Sequence, residues 1–171
     1  MKTTLYMAMS ANGYIAKSDD TTPWSEAEWE HFSTFINEHK NIIIGRRTYE
    51  IMKEAGSFDT FTNVTVIVIT QQETESDESS HLLFVHSPSD ALAAAEAQGI
   101  THAVVAGGST INGLFLEQGL IDEIRLDVEP MVFTKGISLC STVLPLQLNL
   151  TLNSVTQINT QSIHLHYSVQ K

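Results

Sequence analysis

The chain has 171 residues, with 9 Lys and Arg against 20 Asp and Glu and a formal net charge of -11. That length predicts a single domain with its own core, and a hydrophobic content of 42% excludes a disordered or fibrous chain. The acidic surplus excludes general binding to nucleic acid or to an anionic membrane surface, while the single cysteine, Cys140, excludes an internal disulfide and predicts a cytoplasmic protein.

Leu5 to Met9 reads as a first strand rather than a leader, because Thr3, Thr4 and Tyr6 interrupt any apolar core. A turn at Asn12-Gly13 leads into the short segment Tyr14-Ile15-Ala16. From Ser25 to Glu38 the spacing of Trp29, Phe32, Phe35 and Ile36 predicts a helix with Ser25 as N-cap and acids in its first turn. Asn41 to Ile44 is an apolar run ending at Gly45, and a second helix follows to Ala55. Val64 to Ile69 is β-branched, as in a strand buried on both faces.

Residues 71–80 (QQETESDESS) read as a solvated surface loop. Leu82 to Val85 is a strand, and Pro88 opens an Ala-rich helix that ends at Gly99. His102 to Ala106 is a strand running into Gly107-Gly108, followed by a helix to about Glu117, and Ile121 to Val128 is a further strand. The tail alternates with period two, from Leu144 to Asn153 and again from Ile163 to Gln170, which predicts an antiparallel pair at a sheet edge with one wet face. Together these elements predict a three-layer α-β-α fold of the α/β class, its sheet mostly parallel, with an antiparallel C-terminal strand pair. Ligands of such sheets bind at the carboxyl ends of the strands.

Two strand-to-helix junctions stand out there. Gly45-Arg46-Arg47-Thr48 places two of the chain's three arginines at a helix start, where free N–H groups already favour an anion such as phosphate. Ala106-Gly107-Gly108-Ser109-Thr110-Ile111 lets a phosphate approach the backbone closely, although Leu114-Phe115 stand where a Walker loop needs Lys-Ser/Thr. Two such junctions suggest a ligand with more than one phosphate, or a dinucleotide. A third candidate is Glu28, which lies about 50° from the centre of the apolar stripe on its helix, so burial would raise its pKa toward values useful for proton transfer. His164 and His166 share a strand face without a third ligand indicated by spacing, and they read as surface residues, so no metal site is expected.

In order, Ser10-Ala11-Asn12-Gly13-Tyr14-Ile15-Ala16, Trp24, Gly45-Arg46-Arg47-Thr48-Tyr49-Glu50, Val105-Ala106-Gly107-Gly108 and Gly119-Leu120-Ile121-Asp122-Glu123-Ile124 form a set spanning nearly the whole chain. That set resembles the dihydrofolate-reductase-like superfamily, most closely its branch containing the reductase domain of riboflavin biosynthesis. The resemblance implies an NADPH-dependent reductase that transfers hydride to a pterin- or pyrimidine-like ring, such as a phosphoribosylaminouracil. Dihydrofolate reduction is the enzymatic alternative, and a non-catalytic nucleotide-binding dimer is the other. By position, Gly45, Arg46, Arg47 and Thr48 would hold the cofactor phosphates. Gly107, Gly108, Ser109, Thr110 and Ile111 would lie against its pyrophosphate and nicotinamide, and Thr70 and Gln71 would flank its adenosine. Asn12 and Glu28 would be the catalytic residues, with Trp24, Ala8 and Ile15 facing the small-molecule substrate. The riboflavin-type motif usually carries an acid where Asn12 stands, and Gln71 replaces a basic residue common in NADPH users. A homodimer through edge strands is also implied.

Overall fold

The computed structural model describes residues 1–72, 81–143 and 145–171. Residues 73–80, most of the expected surface loop, and Leu144 lie outside the described residues. Ten strands are described: β1 (Lys2–Ser10), β2 (Tyr14–Lys17), β3 (Asn41–Gly45), β4 (Thr65–Ile69), β5 (Leu82–Val85), β6 (His102–Val105), β7 (Glu123–Glu129), β8 (Gly136–Ser138), β9 (Leu150–Gln157) and β10 (Ile163–Val169). Four helices accompany them: α1 (Glu26–His39), α2 (Arg46–Glu54), α3 (Pro88–Ala97) and α4 (Ser109–Glu117).

Eight strands form one sheet in the order β5-β4-β3-β6-β1-β7-β10-β9, and β2 pairs with β8 in a small second sheet. All pairings from β5 through β7 are parallel, whereas β10 runs antiparallel to both β7 and β9. The expected α/β architecture with an antiparallel C-terminal pair is therefore present. Ser25 caps α1 by accepting from the Glu28 N–H, as its position predicts.

Each sheet face packs a separate core. Leu5, Ile43, Ile67, Val105 and Leu126 meet α3 and α4 on one side, while Tyr6, Ile42, Ile44, Val68 and Val104 meet aromatics of α1 and α2 on the other. Strand β7 has two characters because its side chains alternate. Ile124 and Leu126 join the first core, whereas Glu123, Arg125, Asp127 and Glu129 point to the side covered by α1.

The tail departs from the expected pattern. Alternation from Leu144 predicted a strand there, but residues 145–149 form none, and β9 begins only at Leu150. A strand needs a ladder partner, and the seven residues of β10 are all matched to residues 150–157. Leu148 packs on the core without one. Between His166 and Tyr167 of β10 the register against β9 slips, leaving Asn153 of β9 outside the ladder. Opposite Leu165, Tyr167 and Val169 then stand Val155, Leu152 and Leu150, all on one face.

Candidate active site

The parallel strands end together at a cleft of about 410 Å³. Gly45, Arg46, Arg47 and Thr48 line one wall, Gly108, Ser109, Thr110 and Ile111 another, and Ile15 and Asp20 lie on the side of β2 and the loop after it. The two junctions meet because Gly45 N–H donates to the Gly107 carbonyl at 2.8 Å. A Cβ at Gly45 would stand 2.8 Å from Ile111 Cγ1, so only glycine lets β3 approach α4 this closely. Gly107 has φ +91°, a conformation that glycine adopts without strain, and the Gly107–Gly108 peptide is cis. Ser109 Oγ, at the first position of α4, is buried with no hydrogen-bond partner among the described residues. An unpartnered hydroxyl at a helix start fits a phosphate oxygen.

The paired arginines are less free than their position suggested. Arg46 Nε donates to Glu50 at 2.8 Å, and Arg47 is paired with Asp20 from the loop between β2 and α1. Both pairs are exposed, so an entering anion competes against weak partners.

A second group of polar side chains lies between α1 and β7. Glu28 is only 3% exposed, and its carboxyl is pushed up to about 8 by burial and by the neighbouring charges of Asp127 and Glu129. It is therefore a carboxylic acid, rather than a carboxylate, at neutral pH. Asp127 has the opposite fate. Burial raises it, but hydrogen bonds from His164, His31 and Tyr6 outweigh that and hold it below the ordinary carboxylate range. Tyr6 Oη donates to Oδ2 at 2.7 Å, and His164 Nδ1 is 2.5 Å from Oδ1. His31 Nδ1 lies 3.1 Å from Oδ2. Glu129, one strand residue pair further on, accepts from the Ser25 N–H at 2.9 Å and from its hydroxyl at 3.2 Å, which fixes the start of α1.

The comparisons with known proteins agree with this architecture. Residues 1–164 match the model of the RibD C-terminal domain. The chain belongs to that family. It is 31% identical over 171 residues to the uncharacterized protein YwjB of Bacillus subtilis (strain 168), covering 97% of each chain. Among solved structures, a protein of Shewanella sp. PV-4 assigned provisionally to riboflavin biosynthesis superposes with a TM-score of 0.79 at 22% identity, covering 100% of both chains. RibD of Acinetobacter baumannii gives 0.76 at 14% identity, with this chain spanning 58% of its length and 99% of this chain covered. A pyrimidine reductase-like protein of Corynebacterium diphtheriae gives 0.75 at 14% identity, over 99% of this chain and 92% of that one. The dihydrofolate-reductase-like fold implied by the sequence motifs is thus the fold of a RibD C-terminal domain.

Within this RibD-type domain the residues singled out from sequence fall into three places. Gly45 through Thr48, Gly108 through Ile111 and Ile15 share the cleft, with Gly107 closing the turn behind it. Ala8 and Glu28 belong to the face under α1, Ala8 standing directly beside Asp127. Trp24 stacks on Phe133 at 5.8 Å and 21°, and the amide of Asn12 is spent on the Phe133 backbone and Ser10 Oγ. Thr70 and Gln71 do not line the cleft. Thr70 is buried and accepts from the Gln72 N–H, and Gln71 Nε2 donates to the His86 carbonyl at 2.8 Å.

His164 corrects a sequence expectation. It is buried rather than on the surface, because Tyr6, Asp127 and the edge of α1 cover this face of β10, and His166 is half-buried against Glu123. His31, Asp127 and His164 bring ligand-type atoms within 4.8 Å of one another. Arg125 Nη1 approaches His164 Nε2 at 3.3 Å, and a guanidinium only donates, so the proton of His164 sits on the Nδ1 that faces Asp127. That nitrogen has no lone pair to offer a metal. Sequence reasoning missed Asp127, Tyr6 and His31; the charged alternation Glu123, Arg125, Asp127, Glu129 along β7 was the available signal.

Proposed function

We propose that this RibD-type domain is an NADPH-dependent reductase that delivers hydride to a C=N or C=O bond of a pyrimidine- or pterin-like ring, in a reaction of the riboflavin-biosynthesis type. The observation that carries the reading is the cleft at the ends of β3 and β6, where Ser109 Oγ is buried without a hydrogen-bond partner among the described residues, beside the Gly45–Thr48 junction. The cleft fits the cofactor: Ser109 Oγ and the first N–H groups of α4 offer donors to a pyrophosphate, and Arg46 and Arg47 offer charge to a further phosphate. When bound, NADPH supplies the hydride. Ile15, Met7 and Ile111 present apolar surface that orients a flat ring and excludes water. Glu28 lies under α1 and outside the cleft lining, so it supplies the proton that completes the reduction by way of a bound water rather than by direct contact, and regains one from solvent afterwards. Two copies of the chain pair through the apolar face of β9, where Leu152 and Val155 are each 52% exposed.

Intrinsic-fluorescence titration with NADPH and NADH, followed by an assay of nucleotide oxidation with an aminopyrimidine or with dihydrofolate, tests this. Oxidation with the aminopyrimidine supports the reading, and oxidation with dihydrofolate alone moves the activity to the folate class. Absence of binding of either nucleotide at millimolar concentration removes both and leaves a non-catalytic protein.

A further inference from the structure

The small sheet and α4 stand on different sides of the cleft, and one stretch of chain runs between them. In β8, Gly136 pairs opposite Lys17 of β2, and a Cβ there would stand 2.5 Å from the Ala16 carbonyl oxygen and 2.9 Å from Tyr14 Cγ. Ile137, the next residue, lines the cleft. The chain then crosses to α4 and follows it from its first residue to its last. The Leu139 carbonyl accepts from Asn112 Nδ2 at 2.7 Å, Ser141 N–H donates to the Ser109 carbonyl at 3.0 Å, and Val143 N–H donates to the Glu117 carboxylate. At Gly113 a Cβ would collide with the Ser141 carbonyl oxygen, so the segment lies directly on the helix backbone. Two glycines thus let residues 136–143 press against β2 at one end and α4 at the other.

Asn112 stands where this segment meets the glycine turn. It is fully buried, and its Oδ1 has no hydrogen-bond partner among the described residues. A Cβ at Gly107 would stand 3.8 Å from that oxygen, so the amide lies between residue 139 and the back of the turn. A leucine would fill this place without leaving a buried acceptor unpaired, so packing alone does not account for an amide here.

We propose that residues 136–143 form a belt that fixes the spacing between the β2 side and the α4 side of the cleft, with Asn112 and Gly113 as positioning residues that hold the first turn of α4 against the nucleotide's pyrophosphate. The inference rests on the cleft as the nucleotide site and adds what sets its shape. Neither residue lines the cleft; Asn112 acts through Leu139, and Gly113 through Ser141 and the Ser109 carbonyl it meets. The belt has no hydrogen bond to Arg46 or Arg47 among the described residues, whose partners are Glu50 and Asp20. It therefore shapes one end of the ligand and leaves the other alone.

Asn112→Leu removes the donor at similar volume, and Gly113→Ala puts a methyl where the Ser141 carbonyl stands. Alanine favours a helix more than glycine does, so a loss in Gly113→Ala reports the displaced belt rather than a weaker α4. Each variant of the whole protein, checked for folding by circular dichroism, is titrated with NADPH and with adenosine 2′-phosphate, which engages the arginine end only. NADPH should bind about tenfold more weakly or worse, and adenosine 2′-phosphate should stay within about twofold. Unchanged NADPH affinity in a folded variant overturns the proposal, and so does equal weakening of both probes, which a merely structural role would give. A third measurement needs no variant to fold. Saturating the unmodified protein with NADPH should shift the NMR signals of the Leu139 and Ser141 amides and of the Asn112 side-chain amide, and an absence of any shift there also overturns it. NADPH that binds but is never oxidised removes the reductase reading and leaves these shifts and affinity ratios in place.

Discussion

Asn12 grips Phe133 with both atoms of its amide, Nδ2 donating to the Phe133 carbonyl at 2.7 Å and Oδ1 accepting its N–H at 3.2 Å. This clamp joins the turn after β1 to the segment after β7, and Trp24 stacks on the ring so held. The side chain is fully used in that role, which distinguishes it from an acid poised for chemistry. Asn12→Asp keeps the acceptor and loses the donor, so it should destabilise the protein by about 1–3 kcal/mol, read from denaturant unfolding. A gain of activity without loss of stability would overturn this account.

Glu28 makes stability depend on pH in an unusual direction. Unfolded, the group titrates near 4.5, and folded near 8, so the native state holds the proton across that window. Stability therefore falls as pH rises from about 4.5 to about 8 and levels off beyond, because the unfolded state gains from ionising first. Glu28→Gln removes the dependence and should raise stability at pH 8 by on the order of 3 kcal/mol. Unfolding curves at several pH values check this.

As the proposed proton donor, the same residue should also set the pH range of turnover. The acid form is the competent one, so the rate should be level below about 8 and fall above it. Glu28→Gln should lower turnover at least about a hundredfold while leaving NADPH affinity within about twofold. Equal loss of both in steady-state and binding measurements would contradict the assigned role.

Arg47 shares its charge with Asp20, an ion pair lying across the cleft wall. Asp20→Asn should free the guanidinium and tighten NADPH binding a few-fold, an effect that fades with added salt. Arg47→Ala should weaken NADPH about tenfold and leave NADH nearly unchanged, as titration of both nucleotides would show.

Leu152 and Val155 provide a test of the proposed pairing of two copies. Leu152→Lys with Val155→Lys should shift the protein to a monomer in sedimentation without altering its circular dichroism. A chain that is monomeric before substitution would refute the pairing.

Much of the fold was legible because its elements carry local signatures. The β-branched run before Ile69, the Ser25 cap and the proline opening α3 each place an element without knowledge of its neighbours. The cleft was legible for the same reason, since Gly45–Thr48 and Gly107–Ile111 are contiguous motifs at strand ends. The buried network was not. His31 and His164 lie far apart in sequence and meet only through Asp127, and the alternation around His164 describes a polar face without saying that α1 covers it. Asp20 as partner of Arg47 is likewise a long-range fact. The stretch from Leu144 shows the reverse failure, where correct periodicity lacked a free partner strand.

The extra residue in β9 has a consequence for how this molecule can grow. By standing outside the ladder, Asn153 brings Leu150 and Leu152 into phase with Val155, and an extra residue of this kind locally bends the strand that carries it. A kinked border is a poor template for the endless addition of further strands, while the apolar side it creates still seeks a cover. One inserted residue would thus, in the proposed pairing, suit a closed pair of molecules better than an open filament.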